Sequence, residues 1–175
     1  EGTEESVDGM ARASQFYVEA LEADSSNATH KLEYARLLLD RGDLEGCQHQ
    51  CVALLRMDLD EGKGGGANEA TLMIADVEWR RGEVDQAAFH YRRLLERSAV
   101  SFEALSRLVL LLRNSGTLPE AKGFLEEARR VAHTCNEMAG LNYCEGLYHR
   151  YRNDVHEAVQ AFNLASRDAQ WGERA

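Results

Sequence analysis

Cysteine and histidine are the side chains here with the clearest capacity for chemistry. Cys47 and Cys51 lie four residues apart, with His49 between them, so both thiols fall on one face of a helix. Thiolate and imidazole bind zinc, and the three residues would make half of a metal site. Core packing is the alternative, because a free cysteine behaves as a small buried hydrophobe. We favour packing, since His49 points to another face.

A second, looser group contains His133, Cys135, Cys144 and His149. Its spacing matches no zinc signature, so we predict neither a metal nor any other cofactor. The four cysteines of the chain include no Cys-x-x-Cys pair, and the chain is long enough to build a core without disulfides. This cysteine usage indicates a reducing compartment, and we predict a cytoplasmic protein.

The acidic stretch that begins at Asp58 has some features of a calcium-binding loop. Counting Asp58 as the first position puts Glu69 at the twelfth, where such loops need a glutamate. However, Gly62 and Gly66 stand at positions five and nine and bring no side-chain oxygen, and Lys63 replaces the glycine needed at position six. We therefore interpret this stretch as a hydrated linker.

Motifs for catalysis and for polyanion binding are also missing. The sequence has no serine elbow and no His-Glu-x-x-His, and its glycine run lacks the Gly-Lys-Ser or Gly-Lys-Thr ending of a phosphate-binding loop. We therefore predict that the chain is not an enzyme. The net charge of −10 opposes binding to nucleic acid or to an anionic membrane. No stretch has the roughly 18 uncharged apolar residues that cross a bilayer, so we predict no membrane insertion.

Helix is the structure that the apolar pattern predicts for nearly the whole chain. The sequence contains a single proline and many strong helix formers. Leu105, Leu108, Val109 and Leu112 fall at i, i+3, i+4 and i+7, which is typical of an amphipathic helix. Short turns separate such helices, each with a glycine suited to the left-handed conformation: Gly42, Gly82 and Gly116.

The spacing of these turns predicts a repeat protein. Gly82 and Gly116 are 34 residues apart, the period of one family of two-helix repeats. A small residue follows the turn by five positions and an aromatic or compact apolar residue by nine, as with Ala87 and Tyr91, and Asn153 replaces the glycine of the last turn. The predicted fold is an all-α superhelical solenoid of antiparallel helix pairs with about five repeats, taken from a longer array.

The predicted segments are a second helix over 10–27 and repeats over 28–61, 68–101, 102–135 and 139–172. A flexible glycine-rich insertion is predicted at 62–67, and about three extra residues near 136–138 are predicted to lie in a loop. The small-x-x-x-aromatic pattern resembles the tetratricopeptide-repeat family. The first helices depart from that family because they lack its tryptophan, and only Gly146 retains its glycine.

A closer resemblance covers roughly residues 70–175 and rests on four segments. These are 90–96 (His-Tyr-Arg-Arg-Leu-Leu-Glu), 104–113 with its leucines and arginines, 143–148 (Tyr-Cys-Glu-Gly-Leu-Tyr), and 162–172, which ends in Trp-Gly. They resemble the tetratricopeptide repeat protein 21 group, the repeat-solenoid subunit of intraflagellar transport complex A. The first sixty residues show only the generic repeat pattern.

The resemblance implies a non-catalytic scaffold in retrograde ciliary transport and cargo entry, with other complex A subunits as partners. It implies localisation in the cytoplasm, the cilium or flagellum and the basal body. In this fold the first helix of each hairpin lines a concave groove, which also accepts extended peptides in some members. Extending the repeat register gives the candidate protein-binding residues: Arg36, Asp40, Asp76, Trp79, Arg80, Arg113, Asn114, Tyr143 and Arg150.

The sequence fits two roles for Trp79 and two functions for the chain. Trp79 either anchors a partner in the groove or fills space between neighbouring repeats. The chain is either a subunit of a transport assembly or a peptide-binding co-chaperone adaptor. Adaptors clamp carboxylates with lysine and asparagine at fixed groove positions, but those positions hold Leu32, Arg36, Leu72 and Asp76 here. The assembly hypothesis is therefore preferred.

Overall fold

The computed structural model describes residues 2–61 and 66–175, which form helices joined by short turns. None of these described residues belongs to a β-strand. A 3₁₀ turn over Leu118–Glu120 leads into the helix that begins at Ala121. The helices are α1 (Gly2–Ala23), α2 (Ala28–Arg41), α3 (Leu44–Glu61), α4 (Ala67–Arg81), α5 (Val84–Arg97), α6 (Phe102–Asn114), α7 (Ala121–Val131), α8 (Cys135–Arg152), α9 (Val155–Ala165) and α10 (Ala169–Gly172).

Four residues in the left-handed conformation mark the turns inside the helix pairs. Gly42, Gly82 and Gly116 have φ angles of 80°, 85° and 78°, and Asn153 has a φ of 69°. This confirms the prediction that these positions reverse the chain. We call α2, α4, α6 and α8 the first helices, and α3, α5, α7 and α9 the second helices that follow each turn.

The chain forms two compact units, and the N-terminal unit ends at His90. Its core joins α2, α3 and α4 through small and branched apolar side chains. Cys47 and Cys51 project from α3 and are fully buried there among residues such as Leu38 and Ile74. The small-residue positions of the repeat therefore serve close helix packing in this unit, as the packing interpretation predicts.

The C-terminal unit runs from Tyr91 to Ala175. In it, α8 packs against α6, α7 and α9. Leu105 and Leu108 of α6, Ala121 of α7 and Leu141 of α8 have between 0% and 1% of their surface exposed. Ala121 stands five residues after Gly116, so the predicted small residue again lies at a close contact.

The prediction of a loop at residues 136–138 is wrong, because these residues form the first turn of α8. Thr134 and Glu137 make a capping box: the Thr134 hydroxyl accepts from the Glu137 N–H at 3.2 Å, and the Glu137 carboxylate accepts from the Thr134 N–H at 2.9 Å. Such reciprocal bonds satisfy two N–H groups that a helix start leaves free. The additional residues therefore lengthen α8 and not the loop that precedes it.

The glycine-rich insertion predicted at 62–67 lies largely outside the described residues, which resume at Gly66. Gly66 is buried, and Ala67, also buried, is the first residue of α4. The end of the predicted insertion is thus part of the packed N-terminal unit. In the described ranges, no helix is both long enough and apolar enough to cross a bilayer.

Candidate protein-binding surface

The paired cysteines of α3 are placed for packing. Cys47 and Cys51 have no exposed surface, whereas His49 is exposed. The Cys47 thiol beside it and its own burial raise the pKa of Cys51 well above the ordinary thiol value. The same contact lowers the pKa of the Cys47 thiol, so the two cysteines form one buried, hydrogen-bonded pair with no surface open to a ligand. The geometry therefore favours the packing role.

The second cysteine and histidine group is dispersed in the structure. Cys144 is buried and donates to the Phe102 carbonyl at an S to O distance of 3.4 Å, and burial raises the pKa of its thiol. Cys135 is exposed, and the His149 ring lies 3.5 Å from the Asp154 carboxylate. Among the described residues, no three His, Cys, Asp or Glu side chains converge as metal ligands.

In the N-terminal unit, the first-helix arginine Arg36 is neutralised by carboxylates. Its guanidinium is 2.6 Å from Glu33 on the same helix and also donates to Glu69 in the first turn of α4. The second contact links α2 to α4. Glu69, which stands at the twelfth position of the calcium-like stretch, is therefore paired with Arg36.

The other first-helix candidates of this unit lie near the ends of α2 and α4. The Arg80 guanidinium donates to the Leu39 carbonyl at 2.5 Å, so Arg80 caps the end of α2. Trp79 and Asp76 are half-buried, and Asp40 is exposed.

In the C-terminal unit, Arg113 stacks on an aromatic ring. Its guanidinium carbon lies 4.5 Å from the centroid of the Tyr151 ring, so the end of α6 contacts the end of α8. A cation over a ring face is attracted by the ring quadrupole. Arg113 is nevertheless exposed, as are Asn114 and Arg150. The three polar side chains remain open to solvent.

Tyr143 is engaged inside the C-terminal unit. Its ring centroid lies 5.5 Å from that of Trp171 and 6.0 Å from that of Phe162. Burial raises the pKa of the Tyr143 hydroxyl. Tyr143 of α8 is therefore half-buried against α9 and α10, and only part of its surface is exposed.

Two features of the C-terminal unit were not anticipated from the repeat register. Trp171 is 4% exposed, and its indole N–H donates to Asn136 Oδ1 at 3.1 Å. Glu103 lies between two arginines, 2.9 Å from Arg107 and 2.5 Å from Arg174. The distinctive Trp-Gly segment was the sequence signal that could have identified Trp171. Arg174 and Glu103 are 71 residues apart, so no local spacing predicts their ion pair.

A comparison with known families decides the relationship. The family profile described as "TT21 fifth ARM repeats domain" matches residues 68–175. The chain belongs to the tetratricopeptide repeat protein 21 family. This confirms the resemblance seen in the sequence, which began near residue 70.

Relatives in this family extend the similarity to nearly the whole chain. Tetratricopeptide repeat protein 21B of Xenopus laevis is 34% identical over 94% of this chain, and that of Homo sapiens is 37% identical over 94%. Tetratricopeptide repeat protein 21A of Mus musculus is 34% identical over 93%. The first sixty residues therefore share in the family relationship. The chain spans 12% of the length of each of these relatives.

Solved structures of other proteins have the same fold as this chain. BtubC from P. vanneervenii has a TM-score of 0.63 at 17% identity and matches 95% of this chain and 73% of its own. MamA has a TM-score of 0.62 at 17% identity, with 99% and 96% covered. YrrB, described as a TPR protein with an unusual peptide-binding site, has a TM-score of 0.53 at 23% identity and matches 92% of this chain and 78% of its own. The predicted all-α tetratricopeptide-repeat fold is confirmed.

Proposed function

We propose that this chain is a non-catalytic scaffold segment of the ciliary intraflagellar transport complex A, supporting retrograde transport and cargo entry. The observation that carries the proposal is the family relationship, with identities of 34% to 37% over 93% to 94% of the chain. Its partners are other complex A subunits, with extended peptide segments as a second kind of ligand. Its locations are the cytoplasm, the cilium or flagellum and the basal body.

The arrangement of the first helices supports binding of protein. Each unit presents half-buried aromatic side chains and exposed charges on these helices, as with Trp79 in one unit and Arg113 beside Tyr151 in the other. Tryptophan, tyrosine and arginine are the residue types that most often dominate interface energies. We also propose that the repeats are the predicted ranges 28–61, 68–101, 102–135 and 139–172, with the hairpin turns as their internal landmarks.

The co-chaperone adaptor alternative finds no support in the site geometry. Such a clamp needs cations free to meet a carboxylate, and Arg36 is held by Glu33 and Glu69. The other clamp positions hold Leu32, Leu72 and Asp76, which bring two apolar groups and a negative charge. At these positions a carboxylate-terminated peptide would therefore meet no cation that is free to clamp it.

The test is affinity purification of the tagged chain from ciliated-cell lysate, with mass spectrometry of the retained proteins. We expect recovery of complex A subunits, and we expect the Trp79→Ala, Arg113→Ala double variant to reduce it at least tenfold, because truncating two interface anchors costs more than about 1.4 kcal/mol.

The matched control is the Phe89→Ala, Val155→Ala double variant. Phe89 and Val155 are 53% and 64% exposed on second helices, one in each unit, so their loss should leave recovery unchanged. Circular dichroism melting of both variants verifies that they are folded. Recovery of chaperones alone, or of nothing specific, would contradict the scaffold proposal, and equal losses from both double variants would contradict the assignment to the first helices.

A further inference from the structure

Charge is distributed very unevenly between the two units. Residues 1–90 contain 8 Lys and Arg against 19 Asp and Glu, which gives a net charge of −11. Residues 91–175 contain 12 Lys and Arg against 11 Asp and Glu, which gives +1. The overall charge of −10 therefore arises entirely in the N-terminal part. A negatively charged ligand is repelled there but not by the C-terminal unit.

The ends of the first helices show the same difference at equivalent positions. In the C-terminal unit, the residues three and two positions before the left-handed turn are Arg113 and Asn114 on α6, and Arg150 and Tyr151 on α8. We call these four residues the arginine patch. Because α6 and α8 pack against each other and Arg113 contacts Tyr151, the two helix ends lie side by side.

The equivalent positions of the N-terminal unit carry different chemistry. They are Leu39 and Asp40 on α2, and Trp79 and Arg80 on α4. Leu39 is buried, Asp40 is negative, and the Arg80 guanidinium is bound to the Leu39 carbonyl. No comparable pair of available arginines exists at these positions.

The two arginines of the patch are available to a ligand. Among the described residues, neither Arg113 nor Arg150 is within salt-bridge distance of a carboxylate, and both are exposed. Asp154 is the acidic residue nearest to Arg150 in the sequence. It pairs with Arg152, whose guanidinium lies 3.2 Å from the Asp154 carboxylate. The backbone carbonyls at the end of α8 also have partners. The Arg150 carbonyl accepts from the Asn153 N–H, and the His149 carbonyl accepts from the Asp154 N–H.

We infer that the arginine patch binds an acidic segment of a partner protein. Two guanidinium forks and the Asn114 amide supply donors for carboxylates, and charge-assisted bonds of this kind are stronger than neutral ones. Stacking on Tyr151 restricts the Arg113 side chain, which lowers the entropy lost when a carboxylate binds. The inference rests on the proposed function, and it specifies the chemistry of one ligand on the first helices.

The experiment is fluorescence anisotropy with the purified chain and a fluorescein-labelled peptide in which glutamate alternates with serine. We expect binding that weakens steeply as salt rises. The Arg113→Ala, Arg150→Ala double variant should weaken it at least tenfold. The control is Arg93→Ala, Arg97→Ala, which removes the same charge from two exposed arginines of α5 in the same unit and should change the affinity less than twofold.

Several results would overturn the inference. These are no measurable binding of the acidic peptide, equal losses from the two double variants, or equally tight binding of a lysine and serine peptide. Tighter binding of a single-stranded oligonucleotide to the same arginines would also overturn it, because the ligand would then be a nucleic acid. If complex A subunits are still recovered by the tagged chain while the acidic peptide fails to bind, the inference is wrong and the scaffold function stands.

Discussion

Replacing Trp171 with alanine should lower the free energy of unfolding of the C-terminal unit by about 3 to 5 kcal/mol, the usual cost of truncating a buried aromatic residue. The indole is 4% exposed and lies edge-on to Phe102, with 6.3 Å between ring centroids. It also stacks near Tyr143 and donates to Asn136. Truncation would leave a cavity among these side chains and would remove the bond to Asn136.

Urea denaturation followed by circular dichroism measures the loss. Trp171→Phe should recover more than half of it, because phenylalanine refills the cavity but leaves the bond to Asn136 unmade, a loss of about 1 kcal/mol. Trp79→Ala is the matched control: Trp79 is half-buried, and its truncation should cost less than half as much. A Trp171→Ala variant within about 1 kcal/mol of the parent would contradict the packing role assigned to this residue.

Replacing Gly146 with alanine should destabilise the C-terminal unit by about 1 to 2 kcal/mol. A methyl group at this position would lie 2.7 Å from Cδ1 and Cε1 of Phe162 and 3.0 Å from its Cγ. Overpacking of this kind costs about 1 to 3 kcal/mol, which exceeds the gain of up to about 1 kcal/mol in helix propensity. The ring cannot withdraw freely, because it also packs on Tyr143.

Gly123→Ala is the control for the glycine substitution. Gly123 lies within α7, and a methyl group there would have no neighbour within 4 Å, so we expect a stabilisation of about 0.5 to 1 kcal/mol from propensity alone. Urea unfolding of both variants gives the comparison. In a Phe162→Leu background the cost of Gly146→Ala should fall, since the smaller side chain leaves room. A Gly146→Ala variant as stable as the Gly123→Ala variant would show that the close approach is absent.

The hairpin architecture was predictable because it depends on local requirements that recur with the period. A left-handed turn needs glycine or asparagine, and a close helix contact needs a small residue, so Gly82, Asn153 and Ala121 signal their positions in the sequence. Periodicity cannot distinguish a loop insertion from a longer helix. At 136–138 the capping box between Thr134 and Glu137 decided that choice.

The candidate surface was less predictable than the fold. The repeat register identifies the residues on each first helix, but it does not show which of them are already bound to neighbours. Arg36 and Glu69 are 33 residues apart, and Arg113 and Tyr151 come from different helices, so both pairs form only through tertiary packing. For this reason the sequence grouped Arg36 with Arg113, whereas the structure separates a neutralised arginine from an available one.

The most direct test of the central claim, that the first helices bind protein partners in complex A, is site-specific photo-crosslinking in ciliated cells. The photoreactive amino acid p-benzoylphenylalanine would replace Asn114, exposed at the end of first helix α6, or Glu157, exposed on second helix α9. We predict crosslinks to complex A subunits from position 114 and few from position 157. Crosslinks to such subunits from position 157 alone, or from neither position, would contradict the account.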